Sequence, residues 1–163
     1  MKNVWLLCLC FLISCTNNVS DNNIAILPSN QMHHVFHDMT QKRYELSKED
    51  LIKIDNILTD YINNYNNKID TDFDELKKTI HLLPLGDSKE DCIINLKNYK
   101  RQYIPVEDII GDKIVYINCF VKELSVKTWK EKLIIAKNGG KYIFNLKINL
   151  DENICHDFSI MEF

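Results

Sequence analysis

The chain has 163 residues, of which 45% are hydrophobic and 26% are charged, and its formal net charge is −3. This length and hydrophobic content predict one domain with a single core. Acidic and basic residues are interspersed without a basic stripe, so the sequence does not indicate a protein that binds nucleic acid.

The amino-terminal residues have the pattern of an export signal. Lys2 supplies a positive charge, and residues 4–13 form an unbroken apolar run. A membrane-spanning helix needs about 20 apolar residues, so this run is too short to span and is typical of a signal peptide. Two alternatives are an ordinary secretory signal with a chance cysteine and a buried apolar strand.

The run ends in Leu12-Ile13-Ser14-Cys15, which resembles the lipobox of bacterial lipoprotein precursors. The resemblance implies cleavage after Ser14, a diacylglycerol thioether on Cys15 and acylation of the new amino terminus. Several acyl chains together make a durable membrane anchor. The protein is then expected in the cell envelope, and Thr16 in place of an acid after Cys15 favours the outer membrane.

The predicted cleavage and lipid attachment divide the chain into a signal peptide (1–14), a lipid-anchored polar tether (15–30) and a single domain (31–163). Residues 16–30 are mostly polar, so we expect little structure there. The domain retains Cys92, Cys119 and Cys155, which in an oxidising compartment allow at most one disulfide. Sequence alone does not choose the pair; we favour Cys92 with Cys155 and expect Cys119 to be a buried free thiol.

Two groups of residues have features of a metal site. His34, His37 and Asp38 would share one face of a helical turn, although solvated histidines are the commoner reason for such a group. Asp70, Asp72 and Asp74 have the spacing of the first ligands in a calcium loop. The rest of that loop pattern is missing, so we expect an acidic helical turn, no metal site and no cofactor.

The helical signals come first in the domain. Ser47 is a suitable N-cap, and acidic residues follow it in the first turn. Apolar residues then recur every three or four positions, which predicts an amphipathic helix over 48–65 that ends in an asparagine-rich run. A second helical stretch is expected over 72–80. The periodic residues are Leu51, Ile54, Leu58, Tyr61 and Tyr65.

The pattern changes to strands after Gly86. Residues 94–104 predict a strand that stops near Pro105, and 113–121 are apolar on both faces, as in a central strand. A tight hairpin turn at 138–140 is predicted between strands at 133–137 and 142–150. A last strand is expected over 158–163.

These elements predict an α+β fold, with one long amphipathic helix packed on an antiparallel sheet of four or five strands. A cystatin-like arrangement would satisfy this description. The stretch from Leu96 to Leu150 also resembles a group of small uncharacterised bacterial lipoproteins, which implies the same kind of fold and no assigned activity. The matching motifs are YKRQY at 99–103, GDKIVYINCF at 111–120, Trp129 and NGGKYIF at 138–144; the sequence differs from the group at 105–110, where the group turns more tightly.

Two strands carry the candidate binding residues. Tyr99, Arg101 and Tyr103 alternate on one strand, and Tyr116 and Asn118, followed by Phe120, alternate on the next. Both sets are predicted to form a polar and aromatic surface opposite the helix, suited to recognition. The alternative is that tyrosines here simply pack across neighbouring strands.

No catalytic frame is present in the sequence, because GxSxG, HExxH and glycine-rich phosphate loops are all missing. We therefore expect a binding or accessory module of the cell envelope that contacts the membrane through Cys15 and recognises an envelope protein. An envelope inhibitor or immunity protein is the second hypothesis. A metal-dependent or hydrolytic enzyme is the least favoured.

Overall fold

The computed structural model describes residues 21–32, 42–79, 88–135 and 142–160. Within these ranges the chain forms an α+β fold, as predicted, with one long helix on a mainly antiparallel sheet. The elements are β1 (Ile24–Ile26), β2 (Lys42–Arg43), α1 (Lys48–Thr79), α2 (Lys89–Cys92), β3 (Tyr99–Glu107), β4 (Lys113–Val121), β5 (Ile143–Asn149) and β6 (Ile154–Ile160). No feature of these elements is specific to a cystatin-like arrangement.

The four long strands, β3 to β6, pair antiparallel in chain order. β1 adds a short parallel strand to the outer edge of β3, and β2 pairs antiparallel with the end of β3. The described sheet therefore has six strands, of which the two at the β3 edge are very short.

Helix α1 buries the stripe that its sequence period predicts. Ile54 and Leu58 of the predicted stripe, and Ile62 beside it, are at most 1% exposed, whereas Leu51, Tyr61 and Tyr65 are partly buried against the same core. At its start, Ser47 and Asp50 cap each other, because the Ser47 hydroxyl accepts from the Asp50 N–H and the Asp50 carboxylate accepts from the Ser47 N–H. These reciprocal bonds satisfy two backbone donors at the helix end.

The predicted end of this helix was wrong, because α1 continues through the asparagine-rich run to Thr79 and includes most of the second predicted helix. The Asn66 side chain exchanges hydrogen bonds with the N–H and C=O of Ile94, at 2.9 and 2.8 Å. Ile69, one turn later, is buried. Tertiary contacts of this kind outweigh the weak helix propensity of asparagine.

The central strand prediction is confirmed by β4, which has a neighbour on each side and seven consecutive buried residues. The predicted stop at Pro105 was wrong, since β3 runs on to Glu107. The Tyr103 carbonyl accepts from the Leu27 N–H of the β1 edge, so the backbone of Pro105, two residues later, faces the same edge. The missing N–H of Pro105 therefore removes no bond between β3 and β4.

The expectation of little structure over 16–30 was wrong for residues 24–27. Ile24–Ile26 pair with Arg101 to Tyr103, and Ala25 and Leu27 are buried. The apolar run Ile-Ala-Ile-Leu is too short to show a period, which is why the sequence did not reveal an edge strand.

The carboxyl-terminal half differs from prediction in two places. Residues 133–135 are not a strand, and the predicted turn at 138–140 lies outside the described residues. The last strand begins at Ile154, earlier than expected, and contains a bulge at Asp157, whose φ is 54°. The predicted strand over 142–150 is confirmed as β5, although Tyr142 itself is exposed.

Both faces of the sheet are covered. One face packs on α1 through a core that includes Tyr99, Tyr103 and Phe144. The other face packs on residues 25–27 and 129–134 through a second cluster around Phe120 and Trp129. In the described part of the chain, no helix is both long and apolar enough to cross a membrane.

Candidate functional site

The residues predicted to form one binding surface lie on opposite faces of the sheet. The register pairs Arg101 with Cys119, and Gln102 with Asn118. Directly paired residues share a face, so Asn118 lies on the face of Gln102 and away from Arg101. The alternation within each strand was read correctly, but a one-residue difference in register reverses the face.

Four of the five predicted residues are also buried. Tyr99, Tyr103, Tyr116 and Asn118 are 6%, 0%, 4% and 0% exposed. Burial raises the pKa of each of these three tyrosines to about 12. The prediction of a binding surface was therefore wrong. These four side chains belong to the two cores, and among the five predicted residues Arg101 alone retains access to solvent.

Arg101 lies under helix α1 and forms an ion pair with it. Its Nη1 is 2.6 Å from Oδ1 of Asp55, and the two side chains are 14% and 28% exposed. Burial lowers the pKa of Arg101, but the Tyr103 hydroxyl and the Asp55 carboxylate outweigh this effect and raise it. The guanidinium is therefore permanently charged and held in one position by Asp55.

A cleft of about 320 Å³ opens beside this ion pair. It lies where β3 begins and β4 ends, between the start of β1 and helix α1. Asp55 is the one acid among its lining residues, whereas three of them are cations. The cleft is lined by Asn23, Ile24, Asp55, Leu96, Lys97, Tyr99, Arg101 and Lys122.

The cations reach the cleft from three different elements. β3 supplies Arg101, the 3-10 turn Leu96–Asn98 supplies Lys97, and the 3-10 turn Lys122–Leu124 supplies Lys122. Asn95 fixes the first turn, since its side chain accepts from the Lys97 N–H at 3.1 Å. With two exposed lysines beside a paired arginine, the cleft favours an anionic group such as a carboxylate or a phosphate.

The opposite face of the sheet is closed by residues 122–135. The buried Gln102 amide donates to the carbonyl oxygens of Trp129 and Lys132, at 2.6 and 2.7 Å. Its oxygen accepts from Asn118 Nδ2 and from the Ile134 N–H, at 3.0 and 2.9 Å. Asn118 also donates to the Ile134 carbonyl oxygen at 3.0 Å, and Tyr116 is buried in the cluster on which Leu133 and Ile134 pack, so neither side chain is available to a ligand.

A larger depression, of about 590 Å³, lies along the end of α1. Its lining comes from residues 70–78 of that one helix and from Lys89, which forms an ion pair with Asp70. The sequence that imitates a calcium loop lies inside this helix, as the expected acidic helical turn requires. Because one helix supplies nearly every group, the side chains do not converge, and the Arg101 cleft is the better candidate site.

Other candidate residues have different outcomes. Cys15, His34, His37 and Asp38 lie outside the described residues. Among the residues that the structure does describe, no group of three metal-ligating side chains comes together. Cys155 forms no disulfide, so the favoured Cys92–Cys155 bridge was wrong, whereas the expectation of a buried Cys119 thiol outside any disulfide is confirmed.

Sequence reasoning did not single out Asp55, Lys97 or Lys122. Asp55 follows the buried Ile54 in α1, so a charge beside the apolar stripe was the available signal. The two lysines are 25 residues apart and meet only because β3 and β4 form a hairpin. No family model matches the chain, and no curated protein or solved structure matches it.

Proposed function

We propose that this chain is a bacterial lipoprotein, held to a membrane through lipid on Cys15, whose domain is a binding or accessory module of the cell envelope. The observation that carries the proposal is the apolar run over 4–13, whose last two residues begin the motif Leu12-Ile13-Ser14-Cys15. The resemblance to small bacterial lipoproteins supports the same assignment. Thr16 after the cysteine favours the outer membrane.

The path of the chain gives this anchor a short reach. Ile24 enters the sheet nine residues after Cys15. Nine residues span at most about 30 Å when fully extended. The domain would therefore stay close to the bilayer, and the end of the sheet where β3 begins would be the end nearest to the lipid.

The Arg101 cleft supports the binding role. Asp55 orders the guanidinium before any ligand arrives, so little side-chain freedom is lost on binding. Lys97 and Lys122 add positive charge at the rim, and neither forms an ion pair with another residue that the structure describes. An anionic group presented at the envelope is the ligand class that this arrangement favours.

The anchor is tested by inhibiting signal peptidase II with globomycin and by mass spectrometry of the mature amino terminus. We expect the uncut precursor to accumulate and the untreated protein to begin at an acylated Cys15. A Cys15→Ser variant is the control and should carry no lipid. An unmodified thiol at position 15, in protein that washes freely from envelopes, would contradict the proposal.

The binding role is tested by affinity capture from detergent-solubilised envelopes. A variant that combines Lys97→Gln with Lys122→Gln removes the rim charges without altering the core. We expect it to lose partners that the unaltered protein retains, whereas a Lys68→Gln, Lys78→Gln variant, altered on α1, keeps them. If both variants capture the same proteins as the unaltered chain, the cleft is not the binding site.

A further inference from the structure

The described residues 95–101 and 121–135 flank the end of the sheet where β3 begins and β4 ends, and residues 129–134 continue from there over the face opposite α1; we call this region the basic end. It contains seven basic and two acidic residues, a net charge of +5, whereas the whole chain has a net charge of −3. The remainder of the chain is therefore acidic. The basic residues are Lys97, Lys100, Arg101, Lys122, Lys127, Lys130 and Lys132.

The basic end is not visible along the sequence, because its two segments are separated by β3 and β4. Pairing of Tyr99 with Val121 brings the segments together. Five of the lysines are exposed: Lys97, Lys122, Lys127, Lys130 and Lys132. The concentration of charge is thus a property of the fold rather than of any one stretch.

The chain that leads back to Cys15 leaves the domain at this same end. Asn23 and Ile24 line the cleft together with Lys97 and Lys122. A lipid on Cys15 would therefore hold the basic end, rather than the opposite end of the sheet, towards the bilayer. The eight residue steps from Cys15 to Asn23 span at most about 28 Å.

The surface also carries apolar groups suited to the headgroup region. Val126 and Leu124 are 52% and 38% exposed, within the same loop as four of the lysines. The loop is held rigidly by Gln102, and Lys100 lies over the Trp129 ring, 4.4 Å from its centroid. Apolar side chains surrounded by lysines are typical of a surface that rests on a membrane.

We infer that the basic end docks on a bilayer surface containing anionic lipids and so orients the domain on the membrane. This inference rests on the proposed lipid anchor, which supplies proximity, while the charges supply orientation. Anionic headgroups attract clustered lysines within a Debye length, which is about 8 Å at physiological ionic strength.

Lysine footprinting of the full chain tests this orientation. The protein is reconstituted in vesicles of phosphatidylcholine, with or without phosphatidylglycerol, and is labelled with an amine-reactive acetylating reagent. Mass spectrometry then gives the labelling rate of each lysine. Lys97, Lys122, Lys127 and Lys130 report on the basic end, and Lys68 and Lys78, exposed on α1, are the internal control.

With phosphatidylglycerol, we expect labelling at the four lysines of the basic end to slow by roughly fivefold, while the two control lysines keep their rates. High salt should restore the rates, because the Debye length falls to about 3 Å at 1 M. Equal rates on both vesicles would overturn the inference, as would protection of all lysines alike. Protection of the same lysines on neutral vesicles would mean that apolar contact, and not charge, holds this surface on the membrane. That result would also overturn the inference.

A charge-reversal variant separates docking from folding. Lys122→Glu with Lys127→Glu should abolish the protection at Lys97 and Lys130, whereas Lys68→Glu with Lys78→Glu should not. If the lipid anchor is absent, the protein will not remain with phosphatidylcholine vesicles. Footprinting of that same protein, mixed with phosphatidylglycerol vesicles, still tests the surface, so the two failures are distinguishable.

Discussion

The ion pair between Arg101 of β3 and Asp55 of helix α1 is largely buried. Arg101 has little access to water, and its nearest anion is Asp55, on the helix. An arginine in this position needs a partner, because a buried unpaired charge is costly. The ion pair therefore fixes the helix over the start of β3 as well as shaping the cleft.

Replacing Asp55 by alanine should destabilise the fold by about 1.5–3 kcal/mol, the cost of losing a hydrogen bond to a charged group. Urea denaturation followed by circular dichroism measures the change. Lys42→Ala is the matched control, because the Lys42 side chain is 79% exposed in its pair with Glu107. The control should cost less than about 1 kcal/mol, and an equal loss in both variants would contradict the structural role of Asp55.

The thiols give a second residue-scale prediction. Burial raises the pKa of both Cys119 and Cys155 to about 12. Since the thiolate is the reactive form, alkylation near pH 8 should be about a thousandfold slower in the folded protein than in the unfolded chain, where the pKa is about 8.5. Mass spectrometry after timed alkylation checks this. Cys155 is only partly buried and should react first, and rapid labelling of Cys119 in the folded state would contradict the structure.

At the scale of elements, periodicity within a segment predicted the longest helix and the central strand, although it wrongly predicted a strand at 133–135. It located the start and the buried stripe of α1, and it placed β4 at the centre of the sheet. Contacts between segments were not predictable: the Asn66 bonds to Ile94 extend the helix, and the Leu27 bond to Tyr103 adds a strand. Such bonds join residues that are far apart in the sequence, so no local pattern contains them.

The prediction of the candidate site was wrong for the same reason, because it depended on contacts between segments. The alternation of Tyr99, Arg101 and Tyr103 was visible in the sequence, but the register against β4 was not. Arg101 was identified as a site residue, whereas its partner Asp55 belongs to another element. The prediction therefore found one cation of the cleft and assigned four core residues to a surface.

The buried Gln102 side chain makes three hydrogen bonds to the backbone of the loop over 122–135. Replacing Gln102 by leucine leaves the carbonyl oxygens of Trp129 and Lys132 and the N–H of Ile134 without their partner. Each unsatisfied buried group costs about 1–3 kcal/mol, so we expect a loss of at least about 3 kcal/mol. Limited proteolysis should cut the variant within 122–135.

Gln31→Leu is the control for this loop. Gln31 binds the Glu131 carbonyl and the Leu133 N–H near the surface, where water replaces a lost bond. We expect a cost of about 1 kcal/mol and little change in cleavage. Equal resistance of the Gln102→Leu variant and the unaltered protein to protease would show that the loop is held by its apolar contacts instead.

For the whole molecule, the buried ionisable groups predict loss of stability in alkali. In each, burial is the largest cause of a pKa raised to about 12. The folded state therefore keeps protons that the unfolded chain releases above its own pKa values, about 8.5 for cysteine and 10 for tyrosine. The groups are Tyr65, Tyr99, Tyr103, Tyr116, Cys119 and Cys155.

Because the folded state binds more protons, the free energy of unfolding must fall as pH rises through this range. Near pH 11 each buried tyrosine costs about 1.4 kcal/mol, so the group removes much of a typical stability of about 5–15 kcal/mol. The urea midpoint should be steady near pH 7, begin to fall above about pH 8.5, where the cysteines of the unfolded chain ionise, and fall more steeply above about pH 10, where its tyrosines ionise as well. Tyrosinate absorbance should rise together with the loss of secondary structure.

A Tyr116→Phe variant removes one of these groups and should lose less stability between neutral and alkaline pH, by about 1 kcal/mol, than the unaltered protein. Tyrosinate that forms while the fold stays intact would instead mean that these side chains reach water without unfolding, and that the sheet is not closed on both faces.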